Sequence, residues 1–530
     1  MPSEAVDEDR YYPLDRLSWL PVAAGGSTRR VGLRELFLRA HELDGLAVAL
    51  PPAASGLMRL LYAMAARITG LDQAHEVDEW LDRRYALLAA GGRFEPDAVN
   101  AYFDEHADGL KLLDPVRPFL QDRRLAEECG GSSGVNKLVM ARPSGSNQVF
   151  FGHFTDAEQQ PLPPAEAALH LIAQLYYGPS GQCTPRTVAG QRFGNTMAGP
   201  LRRALSTHPQ GQNLYESLLL GLPDPGHWPR GNRTSGDGCP WERKELPAPL
   251  EAPEETPGPL AMLTEQYQHS VLLRAAPDMR SVVDATITWA LRAKRPSPKD
   301  PYLIWDELKD GTLRPRDASA ERALWRDLDA LVLLRRDGDN DRGRRPLVFD
   351  GLTGGHIPED VFHRLRVIAY GFDQDGQTRD RTYFTAATPP LFALLPASEA
   401  AEDTALALGV RAGKVAAEKA AWHLSTALRS AWRNYTTPFG DDRPGDGPRG
   451  KGAGPWPEAG LTAYWPAAEE YFWNALDAQD FTDALPAVGR IALRVYDDVT
   501  ASVAHTPRGA KARDSSRGLV ASLLKSTNHP

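Results

Sequence analysis

Three stretches of this sequence have residue types and spacings that could do chemistry, and the first is a serine motif. Residues 130–134, Gly-Gly-Ser-Ser-Gly, fit the letters G-x-S-x-G of a serine-hydrolase elbow. Such an elbow needs a strand before its serine and a helix after it. Here residues 125–129 are helix-like, and the apolar run at residues 137–140 is predicted to be extended. This order disfavours a serine hydrolase.

The second stretch is rich in glycine and resembles a phosphate-binding loop. Residues 445–451 fit G-x-G-x-x-G and most of the Walker pattern. Gly452 stands where that pattern needs Ser or Thr to hold magnesium. Pro438 and Pro455 flank the stretch, which makes a preceding strand and a following helix implausible. We interpret it as a loop without phosphate chemistry.

The third stretch places His356, Asp360 and His363 at a spacing that could hold a metal ion from one helix face. Polar residues on a solvated helix surface explain the same spacing better. The three cysteines, Cys129, Cys183 and Cys239, lie more than 50 residues apart, without the spacing of a zinc knuckle or a disulfide framework. We therefore expect no metal, no cofactor and no catalytic residues.

Composition describes a multi-domain globular protein. The chain has 530 residues, of which 42% are hydrophobic and 24% are charged. This length predicts roughly two to four domains. No apolar run approaches the ~20 residues of a membrane span, and the acidic start is unlike a signal peptide. A cytoplasmic location without membrane contact is the expectation.

The net charge of −9 argues against a protein that coats nucleic acid along its whole surface, because neutralising phosphates requires a basic face. Basic side chains do cluster locally. The clusters are Arg292, Lys294, Arg295 and Lys299; Arg335, Arg336, Arg342, Arg344 and Arg345; and Arg508, Lys511, Arg513 and Arg517. Solvated loops and helix ends account for such clusters, but they would also suit a protein that touches a polyanion at a few points.

Apolar periodicity predicts an α+β protein with two domains. Residues 1–397 mix short strands with helices, including helices at 165–177 and 318–334, and form a mixed α/β N-terminal domain. Residues 398–530 contain four amphipathic segments joined by loops, which predict a four-helix bundle. These elements must position any binding site.

Two loops have the residue composition of segments whose backbone contacts a ligand. The segment from residue 130 to residue 181 is rich in Gly, Ser and Asn and ends on Gly-Pro-Ser-Gly after the helix at 165–177. Glycine there lets bare backbone approach a ligand. Strands at 367–372 and 381–385 predict a hairpin with a polar tip at 373–378.

The order of short segments along nearly the whole chain resembles the CasA family, the large subunit of the type I-E CRISPR surveillance complex Cascade. The matching segments are residues 17–22 (Leu-Ser-Trp-Leu-Pro-Val), 33–37 (Leu-Arg-Glu-Leu-Phe), Pro51 with Leu60 and Leu61, 118–121 (Pro-Phe-Leu-Gln), the Gly/Ser/Asn loop, 166–169, 178–181, 323–328, 464–465, 472–473 and 517–525. Each motif is short, and their collinearity carries the resemblance.

This resemblance implies a non-catalytic subunit with a mixed α/β domain followed by a four-helix bundle. Its expected partners are the other Cascade subunits, the 5′ handle of the CRISPR guide RNA, target double-stranded DNA and the helicase-nuclease that degrades the target. Members recognise the protospacer-adjacent motif (PAM) in the duplex and help to open it for guide pairing.

The resemblance also assigns candidate site residues. Gly178, Pro179, Ser180 and Gly181 match the family's glycine loop at the minor groove. Asp375, Gly376, Gln377 and Thr378 match the wedge that inserts beside the first base pair. A loop that contacts DNA and the guide handle corresponds to Gly134, Asn136, Lys137, Val139, Arg142, Ser144 and Asn147. The family's lysine finger has no assigned counterpart, although Arg292, Lys294 and Arg295 neighbour its position. Some members carry a cysteine metal cluster, which this chain lacks.

Two alternatives stay open. One is a metal-dependent hydrolase acting alone through His356 and its carboxylate neighbours. The other is a scaffold subunit that makes no contact with DNA.

Overall fold

The computed structural model describes residues 9–90, 92–142, 160–229, 236–251, 256–292, 299–332, 343–352, 355–375, 379–391, 404–437 and 454–525. The chain divides into two compact units. The first consists of Met1–Leu324 with Arg335–Ala393, and the second of Trp325–Leu334 with Leu394–Pro530.

All the described strands belong to the first unit, where they form small antiparallel sheets. They are β1 (Leu20–Ala24), β2 (Ser27–Val31), β3 (Gly45–Leu46), β4 (Gly181–Val188), β5 (Gln191–Thr196), β6 (Ser206–Gln210), β7 (His269–Ala275), β8 (Val282–Trp289), β9 (Trp305–Glu307), β10 (Leu313–Pro315), β11 (Gly343–Arg344), β12 (Arg366–Asp375) and β13 (Arg379–Ala387). The sheet orders are β2-β1-β3, β10-β9-β11, β13-β12-β6, β4-β5 and β7-β8.

Helices occur in both units. They are α1 (Leu33–Leu38), α2 (Pro51–Thr69), α3 (Val77–Ala89), α4 (Pro96–His106), α5 (Leu125–Glu128), α6 (Val135–Leu138), α7 (Pro164–Tyr177), α8 (Leu214–Leu220), α9 (Pro259–Thr264), α10 (Leu328–Val332), α11 (Glu359–Arg364), α12 (Ala405–Thr436), α13 (Trp456–Asp477), α14 (Ala484–Val499) and α15 (Pro507–Ala521).

Helix α2 is the core of the first unit. Prolines fill its first turn, where the missing N–H groups need no partner, and Gly70 ends it in a left-handed conformation with φ of 69°. Nearly all of its residues are buried, including polar Ser55 and Arg59. The Arg59 charge is matched by Asp300, at 2.9 Å, so the buried guanidinium is paired.

The second unit combines α12–α15 with the short segment that holds α10. Trp325 packs against Phe472, with ring centroids 4.7 Å apart and the ring planes tilted by 32°. Lys414 of α12 reaches the buried carboxylate of Asp329, with Nζ to Oδ2 at 2.7 Å. These contacts explain why Trp325–Leu334 joins the helical unit although it precedes that unit in the chain.

The prediction of an α+β fold with a C-terminal helical bundle is confirmed. One element differs. The single helix predicted over 318–334 is instead a 3-10 turn at Leu324–Asp327 followed by α10. The predicted domain boundary between residues 397 and 398 falls outside the described residues and stays a prediction. In the described ranges, no helix combines the length and the apolar character that crossing a bilayer requires.

Candidate nucleic-acid interface

The glycine loop at residues 178–181 begins where α7 ends. Pro164 starts this helix, and the Gly178 N–H closes its last turn by donating to the Gln174 carbonyl at 2.9 Å. A Cβ on Gly178 would lie 2.5 Å from Gln174 Nε2 and 2.7 Å from His269 Cε1. Glycine is therefore required here by close packing.

Three consecutive carbonyl groups hold the loop from its inner side. The Tyr177 carbonyl accepts from Arg202 Nη1 at 2.8 Å, and the Gly178 carbonyl accepts from the Gly199 N–H at 2.9 Å. The Pro179 carbonyl accepts from His269 Nε2 at 3.0 Å. Three successive anchors leave this backbone little freedom before it reaches the surface.

Beyond these anchors the chain turns outward. Ser180 is half-buried, whereas Gly181 is exposed and has a φ of 125°. No atom lies within 4 Å of a Cβ placed on Gly181. The exposed backbone of this glycine can approach base edges or sugars that a side chain would keep at a distance.

The predicted polar hairpin is confirmed in its two strands. β12 pairs with β13 from Ile368 opposite Ala387 to Asp375 opposite Arg379. The register shifts between Asp373 and Gln374, which marks a β-bulge below the tip. Asp375 is exposed. The candidate wedge residues Gly376, Gln377 and Thr378 lie outside the described residues.

The candidate guide-contacting loop has a different local structure from the one predicted. The run at 137–140, expected to be extended, is partly helical, because α6 follows Gly134, whose φ is 80°. A helix also precedes the serine motif at α5, so the nucleophile elbow stays disfavoured.

Members of this loop differ in accessibility. Asn136 and Val139 are only 1% and 7% exposed, so neither side chain can stack on a base in this conformation. Lys137 Nζ donates to the Gln182 carbonyl at 3.3 Å, which places its charge beside the glycine loop. Arg142 Nη1 donates to the Gln160 carbonyl at 2.8 Å. Ser144 and Asn147 lie outside the described residues.

A further cation lies near the same sheet elements. The Arg292 guanidinium carbon is 4.3 Å from the centroid of the Phe193 ring and 4.8 Å from that of Trp289. Its Nη2 donates to the Asn195 carbonyl at 2.9 Å. Lys294 and Arg295 lie outside the described residues, so the position of a lysine finger is not assigned.

Sequence reasoning missed Arg202 and His269, which hold the glycine loop. Both are buried, at 3% and 2% exposure. Burial lowers the pKa of His269 to about 4, and the nearby charges of Arg202 and Lys137 act in the same direction. The ring is therefore neutral at pH 7, with its proton on Nε2 facing the Pro179 carbonyl. Among the described residues, Nδ1 has no hydrogen-bond partner.

We expect acid to destabilise this unit at mildly low pH. The folded pKa of His269 is about 4, and burial also lowers the pKa of His170 to about 4. Because the unfolded chain binds these protons near pH 6.5, stability present above that pH is lost as pH falls towards 4. The cost is up to about 1.4 kcal/mol per group for each tenfold rise in proton concentration.

The measurement is the free energy of unfolding in denaturant between pH 7 and pH 4.5. His269→Gln keeps a donor for the Pro179 carbonyl but cannot be protonated, so its pH dependence should be shallower. Equal slopes in the variant and the wild type would contradict this account of His269.

Two residues of the hydrolase alternative, Asp360 and His363, are engaged in local pairs. Asp360 accepts from Arg364 Nη2 at 2.9 Å, and His363 Nε2 lies 3.6 Å from Glu359. Within the described ranges, no three His, Cys, Asp or Glu side chains come together as metal ligands would. Within the described residues, His356 therefore has no group of metal ligands beside it.

Comparison with known proteins places the chain in a family. The sequence model of the CRISPR-associated protein Cse1 family matches residues 16–500. A curated relative, CRISPR-associated protein CasA/Cse1 of Thermus thermophilus, is 29% identical over 320 residues. The matched region covers 59% of this chain and 59% of that relative, less than two thirds of its length.

Solved structures agree with this assignment. A chain of a CRISPR RNA-guided surveillance complex is 38% identical, with a TM-score of 0.83 over 96% of this chain and 99% of that one. The structure of Thermus thermophilus CasA (Cse1) is 21% identical, with a TM-score of 0.72 over 97% and 99%, and at that identity it shows the fold alone. The resemblance to the CasA family is confirmed, and the chain belongs to the CRISPR-associated protein Cse1 family.

Proposed function

We propose that this chain is the non-catalytic large subunit of a type I-E CRISPR surveillance complex and reads the PAM of target double-stranded DNA. The observation that carries the proposal is the glycine loop at residues 178–181. Its backbone is anchored through three consecutive carbonyls and then presents an exposed glycine. The 38% identical chain of an RNA-guided surveillance complex supports the same assignment.

The proposed site reads DNA through backbone and shape. The minor groove is narrow and offers few distinguishing groups, and a glycine, which has no side chain, lets the backbone lie close to its base edges and sugars. A preorganised loop avoids the entropy cost of ordering itself on the duplex. Lys137, beside the strand that follows Gly181, supplies a nearby positive charge for phosphate.

We assign separation of the DNA strands to the hairpin of β12 and β13. We propose that residues 375–378 insert beside the first base pair, which costs a few kcal/mol of unstacking. Pairing between guide RNA and the target strand then captures the separated bases. The loop at residues 134–147 contacts the DNA and the 5′ handle of the guide RNA, and other faces bind sister subunits and the helicase-nuclease.

The deciding experiment measures target-duplex binding by the guide-loaded complex with and without this chain. Salt is held constant, and the duplexes carry a library of three-base flanking sequences. Binding confined to certain flanks, and only when the chain is present, is the expected result. Gln377→Ala should then slow strand opening more than it weakens flank recognition.

Two other outcomes would point elsewhere. Equal binding to every flank, with the chain required for assembly, would favour a scaffold without DNA contact. Metal-dependent turnover by the isolated chain would favour a hydrolase. Either result would overturn the proposed PAM recognition.

A further inference from the structure

Arg202 contacts both elements of the proposed DNA site. Its Nη1 donates to the Tyr177 carbonyl at 2.8 Å, immediately before the glycine loop. Its Nη2 forms an ion pair with Asp380 of β13, two residues beyond the hairpin tip. One guanidinium group therefore joins the last residue of α7 to the end of β13 next to the hairpin turn.

Aromatic packing reinforces this connection. The Arg202 guanidinium carbon lies 4.9 Å from the centroid of the Phe372 ring, on β12. The Phe372 ring in turn lies 6.3 Å from the ring of Tyr177, centroid to centroid. The two elements thus meet around a buried cation and two aromatic rings, an arrangement that resists sliding better than a single contact.

The β-bulge gives Asp380 its position. Gln374 pairs with Asp380, whereas the preceding pair is Asp373 with Thr382, so Arg381 is the extra residue. A bulge re-aims the side chains beside it and increases the local twist of the hairpin. The Asp380 side chain is 35% exposed and the Arg202 side chain is 3% exposed, so the ion pair spans from the interior to the rim of the site.

We propose that Arg202 is a positioning residue that fixes the strand ends of the β12–β13 hairpin, at Phe372 and Asp380, relative to the glycine loop, so that reading the flank sets where the hairpin meets the adjacent base pair. This coupling rests on the function proposed above. Arginine suits the role because its planar fork can donate in two fixed directions at once. A flexible ammonium group would satisfy one partner without defining the angle to the other.

The test uses the guide-loaded complex reconstituted with variants of the full chain. The duplex carries a fluorescent base analogue at the first base pair beside the flank, so that binding and opening are read separately. Asp380→Asn preserves shape and removes the charge that orients Arg202. We expect opening to slow about tenfold, because small misplacements of positioning groups have effects of that size or more. The preference among flanks should stay within about twofold, because the Gly178 and Pro179 carbonyls keep their partners, Gly199 and His269.

Asp317→Asn is the matched control. Asp317 pairs with the neighbouring Arg203 at 2.8 Å and its side chain is 41% exposed, close to the exposure of Asp380. That pair does not involve the carbonyls of the loop or the turn end of the hairpin. Wild-type opening is expected in this variant.

The outcomes separate the two proposals. If the wild-type chain confers neither flank preference nor opening, the proposed function is wrong, and the coupling that rests on it is wrong as well. If the wild type does both and Asp380→Asn opens at the wild-type rate, only the coupling is overturned. Should the asparagine variant not fold, Arg202→Lys and Asp380→Glu, which keep both charges, replace it. Wild-type opening in both of those would equally overturn the inference.

Discussion

Replacing Gly181 with aspartate should weaken binding of a PAM-flanked duplex by the assembled complex at least about tenfold, equivalent to about 1.4 kcal/mol. Gly181 is exposed and its φ of 125° lies where side chains are strained. The new carboxylate has open space around it, so it would project from the loop towards the phosphates. Repulsion from DNA and displacement of the backbone act in the same direction.

Gly190→Asp provides a control with the same chemistry. Gly190 also has a positive φ, 78°, and open space around a Cβ, and it lies at the turn between β4 and β5. It is about 25 Å from Gly181 along the strand. Both variants gain strain and one negative charge, so they should lose similar stability in thermal melting, while only Gly181→Asp weakens flank-dependent binding. Equal losses of binding in the two variants would assign the effect to charge alone.

Local sequence patterns predicted the helix and the strands that position the candidate site. Apolar spacing over residues 165–177 predicted α7 to within one residue, and the strand-like runs at 367–372 and 381–385 predicted both strands of the hairpin. These features depend on neighbours within a few positions of the chain. The same holds for the amphipathic stripes of the helical bundle.

Contacts between distant residues could not be predicted in this way. Arg202 lies 25 residues from Tyr177 and 178 residues from Asp380, and His269 lies 90 residues from Pro179. No spacing rule relates such positions, because tertiary packing brings them together. The short helix α6 was missed for a related reason. Its apolar run has the composition of a strand, and only the tertiary burial of Val135 and Leu138 distinguishes it from one.

Replacing Arg186 with methionine should cost the first unit up to about 3–5 kcal/mol of stability, because it leaves the buried Asp122 carboxylate with Arg124 alone and removes the partner of half-buried Glu128. Arg186 on β4 is fully buried. Its Nη2 lies 2.8 Å from Asp122, its Nε donates to Glu128 at 2.6 Å, and its guanidinium carbon lies 5.1 Å from the Trp289 ring centroid. It thus ties the segment before the Gly/Ser/Asn loop to the strand that begins at Gly181.

Arg274→Met supplies the comparison. Arg274 also pairs with an aspartate, Asp284, at 2.9 Å, but the arginine side chain is 68% exposed. Exposed pairs of this kind contribute about 0–1 kcal/mol. In urea unfolding, Arg186→Met should therefore shift the midpoint far more than Arg274→Met. Similar shifts would mean that the Arg186 cluster is no stronger than a surface pair.

The pH dependence of stability in the Arg186→Met variant tests the contribution of this ion pair independently. Burial would raise the pKa of Asp122, but hydrogen bonding from Arg124 and the charge of Arg186 hold it below its ordinary value. Wild-type stability from this carboxylate is present at neutral pH and is lost as pH falls through the depressed pKa. Without Arg186 the pKa of Asp122 rises. In the variant, protonation therefore removes the buried Asp122 charge at a higher pH than in the wild type. The stability difference between wild type and variant should consequently shrink as pH is lowered towards 4, whereas a loss of packing alone would leave that difference constant.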